Sequence, residues 1–77
     1  MSLHYQVKQI LNDFDNVPSD EIIDVLTQIQ PHLKSGITQN YLQGKIQAAL
    51  DINDVSERKK LCKNLKQYLD WYVQGNN

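Results

Sequence analysis

The sequence specifies an all-α fold, a small four-helix antiparallel bundle whose second helix is broken or kinked near Pro31 and whose C-terminal helix is long. Three observations predict it. The stretch 54–74, DVSERKKLCKNLKQYLDWYVQ, lies in the longest segment without Gly or Pro. In it Leu61, Cys62, Leu65, Tyr68, Leu69 and Tyr72 recur at the three-and-four spacing of one helical face. At 1.5 Å per residue such a helix runs about 30 Å, a full small-domain diameter. Upstream, three shorter stretches repeat the spacing and are separated by turn chemistry. Finally, the chain has 77 residues, 40% of them hydrophobic, which is enough for one core and makes residues 1–77 a single all-helical domain.

The first helix is expected after Ser2, a good N-cap, and to run to about Phe14. Leu3, Val7, Ile10, Leu11 and Phe14 form its apolar stripe. The Asp15-Asn16-Val17-Pro18 run is a turn, because Pro18 disfavours helix at the residue before it. Ser19 is the expected cap of the second helix, with Asp20 and Glu21 in the first turn, where the helix dipole favours negative charge. Ile22, Ile23, Leu26, Ile29 and Leu33 keep one face apolar. Pro31 removes a backbone donor and crowds the carbonyl four residues back. The regular helix should therefore stop near Gln30, with a loose last turn to Lys34 and Gly36 in a left-handed closing position.

Thr38 is the expected cap of the third helix, with Ile37 packing on Leu42 as a hydrophobic staple. Tyr41, Leu42, Ile46, Ala49 and Leu50 should form its buried side, with Asn40, Gln43, Gly44 and Gln47 opposite. Gly44 costs up to about 1 kcal/mol relative to Ala in a helix interior, and is either merely tolerated there or permits close approach of another backbone. Asp54 caps the last helix, with Glu57 three residues on. Arg58 falls in the apolar arc, so its head group must snorkel out or pair with an acidic residue. The terminal Gly75-Asn76-Asn77 should fray.

Net charge is −1, but its distribution is lopsided: residues 1–57 carry eight acidic and three basic side chains, residues 58–77 one acidic and five basic. The simplest account is internal, a basic last helix beside acidic neighbours. There is no run of apolar residues long enough for a transmembrane span, and the amino terminus lacks the pattern of a signal peptide. A lone Cys62 forms no internal disulfide, which fits a reducing compartment. The expected location is the cytoplasm, with no membrane partner.

No motif implies catalysis, a cofactor or a metal. His4 and His32 sit on different elements and belong to no metal-ligand spacing, so they read as partly exposed polar side chains. Cys62, at the edge of the apolar face, reads as a small half-buried hydrophobe, although Lys59, Lys63 and Lys66 one turn away would lower a thiol pKa. Lys59, Lys60, Lys63 and Lys66 cover one broad side of the last helix. A solvated face, dispensable for folding, is the expected role, and phosphate contact is the alternative.

A helix-turn-helix centred on Gly36 would place His32 and Lys45 where small or aliphatic residues pack and Pro31 inside a helix, which makes the signal weak. Asn40, Gln43 and Gln47 could read adenines only if a groove met them. Trp71 points away from the Leu65/Tyr72 stripe, so either it is a contact anchor or helix 1 or the loop after helix 2 reaches round to cover it.

These observations predict a non-catalytic protein–protein interaction or regulatory module without small-molecule substrate, acting through its C-terminal helix. Tyr68, Trp71, Tyr72 and Val73 are the candidate interface, and the partner is another protein or a second copy. The longest helix should overhang its shorter neighbours and leave that end bare. The alternative is a small nucleic-acid-binding regulator using Lys59, Lys60, Lys63 and Lys66. In size and helix count the chain is similar to small bacterial and phage regulatory and immunity proteins, a likeness of architecture alone.

Overall fold

A short polar side chain or a proline stands immediately before each of the first four helices. The computed structural model, which describes residues 2–75, has α1 at Leu3–Asn12, α2 at Ser19–Ile29, α3 at Gly36–Leu50, α4 at Val55–Asn64 and α5 at Lys66–Gln74. Ser2 accepts the Tyr5 amide at 3.2 Å and Asp54 accepts the Ser56 amide at 2.8 Å, satisfying donors that a helix start leaves open. Asn76 and Asn77, expected to fray, lie outside the described residues; Gly75 closes α5 in the left-handed region with φ 75°.

The all-α bundle is as the sequence predicts. α2 is its central element and packs against α1, α3, α4 and α5; α1 also lies along α5, and α3 along α4. Val7, Ile22, Leu26, Ile29, Leu42 and Leu69 are fully buried in one contiguous cluster. Burying such a side chain contributes about 1.5–3 kcal/mol each. Pro31 acts as expected: α2 ends at Ile29 and the chain continues in a 3-10 turn, Gln30–His32, before leaving the helix. Gln30 and Gln39 then tie the corner, the Gln30 Nε2 donating to the Gln39 backbone carbonyl at 3.0 Å and the Gln39 Nε2 to the Leu33 backbone carbonyl. Among the described residues no helix is long and apolar enough to cross a membrane.

Several local expectations are corrected. α1 ends at Asn12, and Phe14 enters the core from a separate 3-10 turn, Phe14–Asn16. Pro18 takes the cap position of α2, and Ser19 becomes its first helical residue. α3 starts at Gly36, one turn earlier than a Thr38 cap would allow, because the Ser35 hydroxyl accepts the Thr38 amide at 3.3 Å. Gly36 is therefore helical rather than a left-handed closure, and Ile37, 84% exposed, staples nothing. Tyr41 and Leu50 are exposed as well, since α3 touches the core only through the narrow arc of Leu42, Ile46 and Ala49.

The C-terminal helix is bent at Leu65. There φ is −96° and ψ 0°, and the ladder shortens to three-residue bonds, Leu65 N–H to the Cys62 carbonyl at 3.0 Å and Tyr68 N–H to the Leu65 carbonyl at 3.1 Å. A straight helix over 55–74 would run about 30 Å, the whole of the longest 31 Å axis of the molecule. Bending lets α4 pack on α2 and α3 while α5 turns to pack on α1 and α2. The overhang expected from helix lengths is thereby removed.

Candidate functional site

The four lysines of the expected solvated face divide into different environments. The Lys59 ammonium donates to the Phe14 carbonyl at 2.8 Å and to the Val17 carbonyl, and lies 5.3 Å from the centre of the Phe14 ring. It thus closes the end of the 3-10 turn after α1 and is half-buried, so the solvated-face expectation is corrected for this residue. Lys66 sits over the same ring at 5.5 Å. Lys60 pairs with Glu57 at 3.3 Å and Lys63 stands 3.9 Å from Asp15, both in solvent. Lys59, Lys60 and Lys63 border an open groove of about 860 Å³ between the turn at 15–19 and the start of α4, but Asp15 and Asp54 line it too.

Arg58, placed by its spacing in the apolar arc, is a structural clamp. Its Nε donates to the carbonyls of Ala49 at 3.2 Å and Ile52 at 3.1 Å, and its Nη2 to Ile52 at 2.6 Å. Its Nη1 reaches Asp20 of α2. The Ala49 carbonyl, in the last turn of α3, also accepts the Ile52 amide, and the Ile52 carbonyl belongs to the loop that follows; a planar guanidinium can serve both at once.

The candidate interface residues of α5 face inward to different degrees. Tyr68 is 4% exposed and belongs to the core. Trp71, Tyr72 and Val73 are half-buried and pack against that core, because α1 covers the end of the molecule that the expected overhang would have left bare. Trp71 meets Tyr68 edge-on with ring centroids 5.2 Å apart. The rings of His4 and His32 flank Tyr72 at 6.2 and 6.4 Å, which is a packing role for both exposed histidines. Burial pushes the Tyr68 hydroxyl and the Cys62 thiol above their ordinary pKa values; for Cys62 the nearby Lys59 and Arg58 oppose that effect without reversing it. A buried thiol held protonated is a poor nucleophile.

The surface that sequence reasoning missed is the outer side of α3. Ile37, Tyr41, Gly44 and Ala48 are all exposed, and Tyr41 remains 57% accessible with the Lys45 ammonium 5.3 Å from its ring centre. They recur at four-three-four spacing, which sets them along one side of α3. The signal was present: α3 carries this second apolar set in addition to Leu42, Ile46 and Ala49. It was obscured by assigning Ile37 to a staple and Tyr41 to the core. Beside this stripe, Tyr41 and Lys45 form one wall of a groove whose other wall is Leu61, Asn64, Gln67 and Tyr68. Asn40, Gln43 and Gln47 are exposed on α3, whereas the lysines are on the C-terminal helix. Compared with known proteins, the chain matches no family model, no curated protein and no solved structure.

Proposed function

We propose that the chain is a small non-catalytic protein–protein interaction or regulatory module. Its contact surface is the outer face of α3 together with the adjoining groove wall of the C-terminal helix, where Tyr68 lines the groove and Trp71 meets Tyr68 edge-on. The observation that carries the reading is the exposure of Ile37 and Tyr41 one turn apart on a well-formed helix. Large apolar side chains grouped on a helix face lose water contact most readily by docking another surface. The lone Cys62, buried and unpaired, supports a reducing compartment, and we place the protein in the cytoplasm.

The nucleic-acid alternative has less support. Lys59 is committed to two backbone carbonyls, Lys66 to an aromatic ring, and Lys60 and Lys63 to carboxylates. Neutralised or engaged ammonium groups leave few charges to displace counterions from a nucleic acid.

The test is affinity capture from an extract of the source cell with the immobilised wild type and with the double variant Ile37→Asp, Tyr41→Ala. The expected result is a protein retained by the wild type and lost from the variant, with circular dichroism showing both folded. Equal retention by the two would move the contact surface elsewhere. Salt-sensitive retention on heparin, absent from a Lys60→Gln, Lys63→Gln variant, would favour the nucleic-acid reading instead.

A further inference from the structure

We infer that the groove between the turn at 15–19 and the start of α4 binds a phosphate group, held by the first residues of α2 with Lys60 and Lys63 at its rim. The site is separate from the α3 surface and goes beyond the contact reading. Ser19 is the one buried polar residue among those described, 7% exposed. Its hydroxyl has no hydrogen-bond partner among the described residues. Nor is it sealed from solvent, because every fully enclosed side-chain oxygen or nitrogen among them has a partner. Ser19 lines the groove, so the unmet hydroxyl opens there. A buried hydroxyl without a partner costs stability, which a ligand oxygen would recover.

The start of α2 adds two donors. Pro18 stands at the cap position and brings no side-chain oxygen. The Glu21 and Ile22 amides reach the Pro18 carbonyl at 3.1 and 3.2 Å, which leaves the Ser19 and Asp20 amides without an acceptor among the described residues. Open amides at the N-terminus of an 11-residue helix favour an anion, and the helix dipole acts in the same sense. The Asp20 carboxylate, which would compete, is engaged by Arg58 at 2.7 Å.

Charge and shape narrow the ligand. Lys59, Lys60 and Lys63 line the groove against Asp15 and Asp54, a surplus of one positive charge. Lys59 is committed to carbonyls, and Asp54 to the Ser56 and Glu57 amides. Lys60 and Lys63 are held only by exposed pairs, at 3.3 Å to Glu57 and 3.9 Å to Asp15, which exchange at little cost. A hydroxyl, two amides and two ammonium groups suit the several oxygens of one phosphate. A polyanion would need more free charge than remains. Val17, Pro18 and Val55 line the same groove, and Val55 is 72% exposed. They form an apolar wall for the organic body of a phosphate monoester.

The test is a titration of the full chain followed through its backbone amide resonances at about pH 8, where phosphate is largely a dianion. Inorganic phosphate and phenyl phosphate are added in turn, with chloride at matched ionic strength as the control. The expected result is saturable shifts of the Ser19 and Asp20 amides, with a dissociation constant of about 0.1–10 mM. Lys63→Gln should weaken binding at least about threefold, and Asp15→Asn, which frees Lys63, should strengthen it. Ser19→Ala should weaken binding while the thermal midpoint holds or rises, since the hydroxyl has no protein partner to lose. Tighter binding of phenyl phosphate identifies a phosphate monoester as the ligand, equal binding identifies free phosphate, and either upholds the site. Unsaturated shifts matched by chloride overturn the inference. So does binding indifferent to Ser19→Ala, or a midpoint lowered by that substitution, which would show the hydroxyl engaged within the fold.

Discussion

Arg58 and Asp20 join the start of α4 to the start of α2 through a bond of 2.7 Å from Nη1 to Oδ1. The two partners are unequal: the arginine side chain is 20% exposed and the aspartate 81%. An ion pair with one member in solvent is worth less than about 1 kcal/mol. Arg58 has a second task, since its other nitrogens hold the carbonyls of Ala49 and Ile52. Hydrogen bonds from a charged donor to partly buried carbonyls contribute about 1.5–3 kcal/mol. Arg58→Ala should therefore lower stability by about 2–3 kcal/mol, and Asp20→Ala by less than about 1 kcal/mol. Arg58→Lys should fall between, because an ammonium cannot reproduce the planar fork. Urea midpoints of the three variants decide it.

Lys59 and Lys63 are one turn apart on the same helix, yet only the first is predicted to matter for folding. Lys59 satisfies the carbonyls of Phe14 and Val17 at the end of a turn that places Phe14 in the core. Lys59→Gln shortens the side chain and takes the charged donor from both, although the Phe14 carbonyl keeps the Val17 amide, at an expected cost of about 1–3 kcal/mol. Lys63→Gln loses only a contact of 3.9 Å in solvent and should stay within about 0.5 kcal/mol of wild type. Equal midpoints for the two variants would show that the Lys59 bonds are not maintained in solution.

How far the sequence could be read depended on what each residue answers to. Ser2, Asp54 and Pro31 act on their own neighbours, and the starts of α1 and α4 and the end of α2 lie where local chemistry sets them. The bend at Leu65 has no local cause: no Gly or Pro stands near it, and only the need to pack on α1, α2 and α3 together produces it. Arg58 was recognisable as an anomaly in an apolar arc, but the carbonyls it serves belong to α3 and the loop after it, and periodicity on α4 carries no information about them. The exposed stripe of α3 was hidden for the opposite reason. Hydrophobic spacing marks a face as apolar and cannot say whether the neighbour that covers it lies within the same chain.

Leu65 remains the centre of the C-terminal segment despite the bend, at 3% exposure between buried Cys62 and buried Tyr68 and Leu69. Leu65→Ala removes three carbons from that site and should cost about 2–5 kcal/mol. A denaturant midpoint left unchanged would place the residue outside the core.

Stability should fall on the alkaline side. Burial raises the pKa of Cys62 above its ordinary 9.0 and that of Tyr68 above 10.0. The unfolded chain releases these protons at the ordinary values while the folded chain still holds them. The protonated-state advantage is thus fully present below about pH 9 and is lost as pH rises through the folded values. Denaturation midpoints should drop as pH rises above about 9, and Tyr68→Phe should flatten the part of that slope above about pH 10. An equal slope in wild type and Tyr68→Phe would exclude Tyr68 as a contributor.

Gly44 is a position where one added methyl group should raise stability. It lies in the interior of α3 with a helical backbone, and a Cβ there would meet nothing within 4 Å. Gly44→Ala removes backbone entropy from the unfolded chain without a steric cost in the monomer, so it should add about 0.5–1 kcal/mol to the stability of the monomer. Thermal unfolding of Gly44→Ala should show a raised midpoint, and a lowered midpoint would show that the space beside Gly44 is filled in solution.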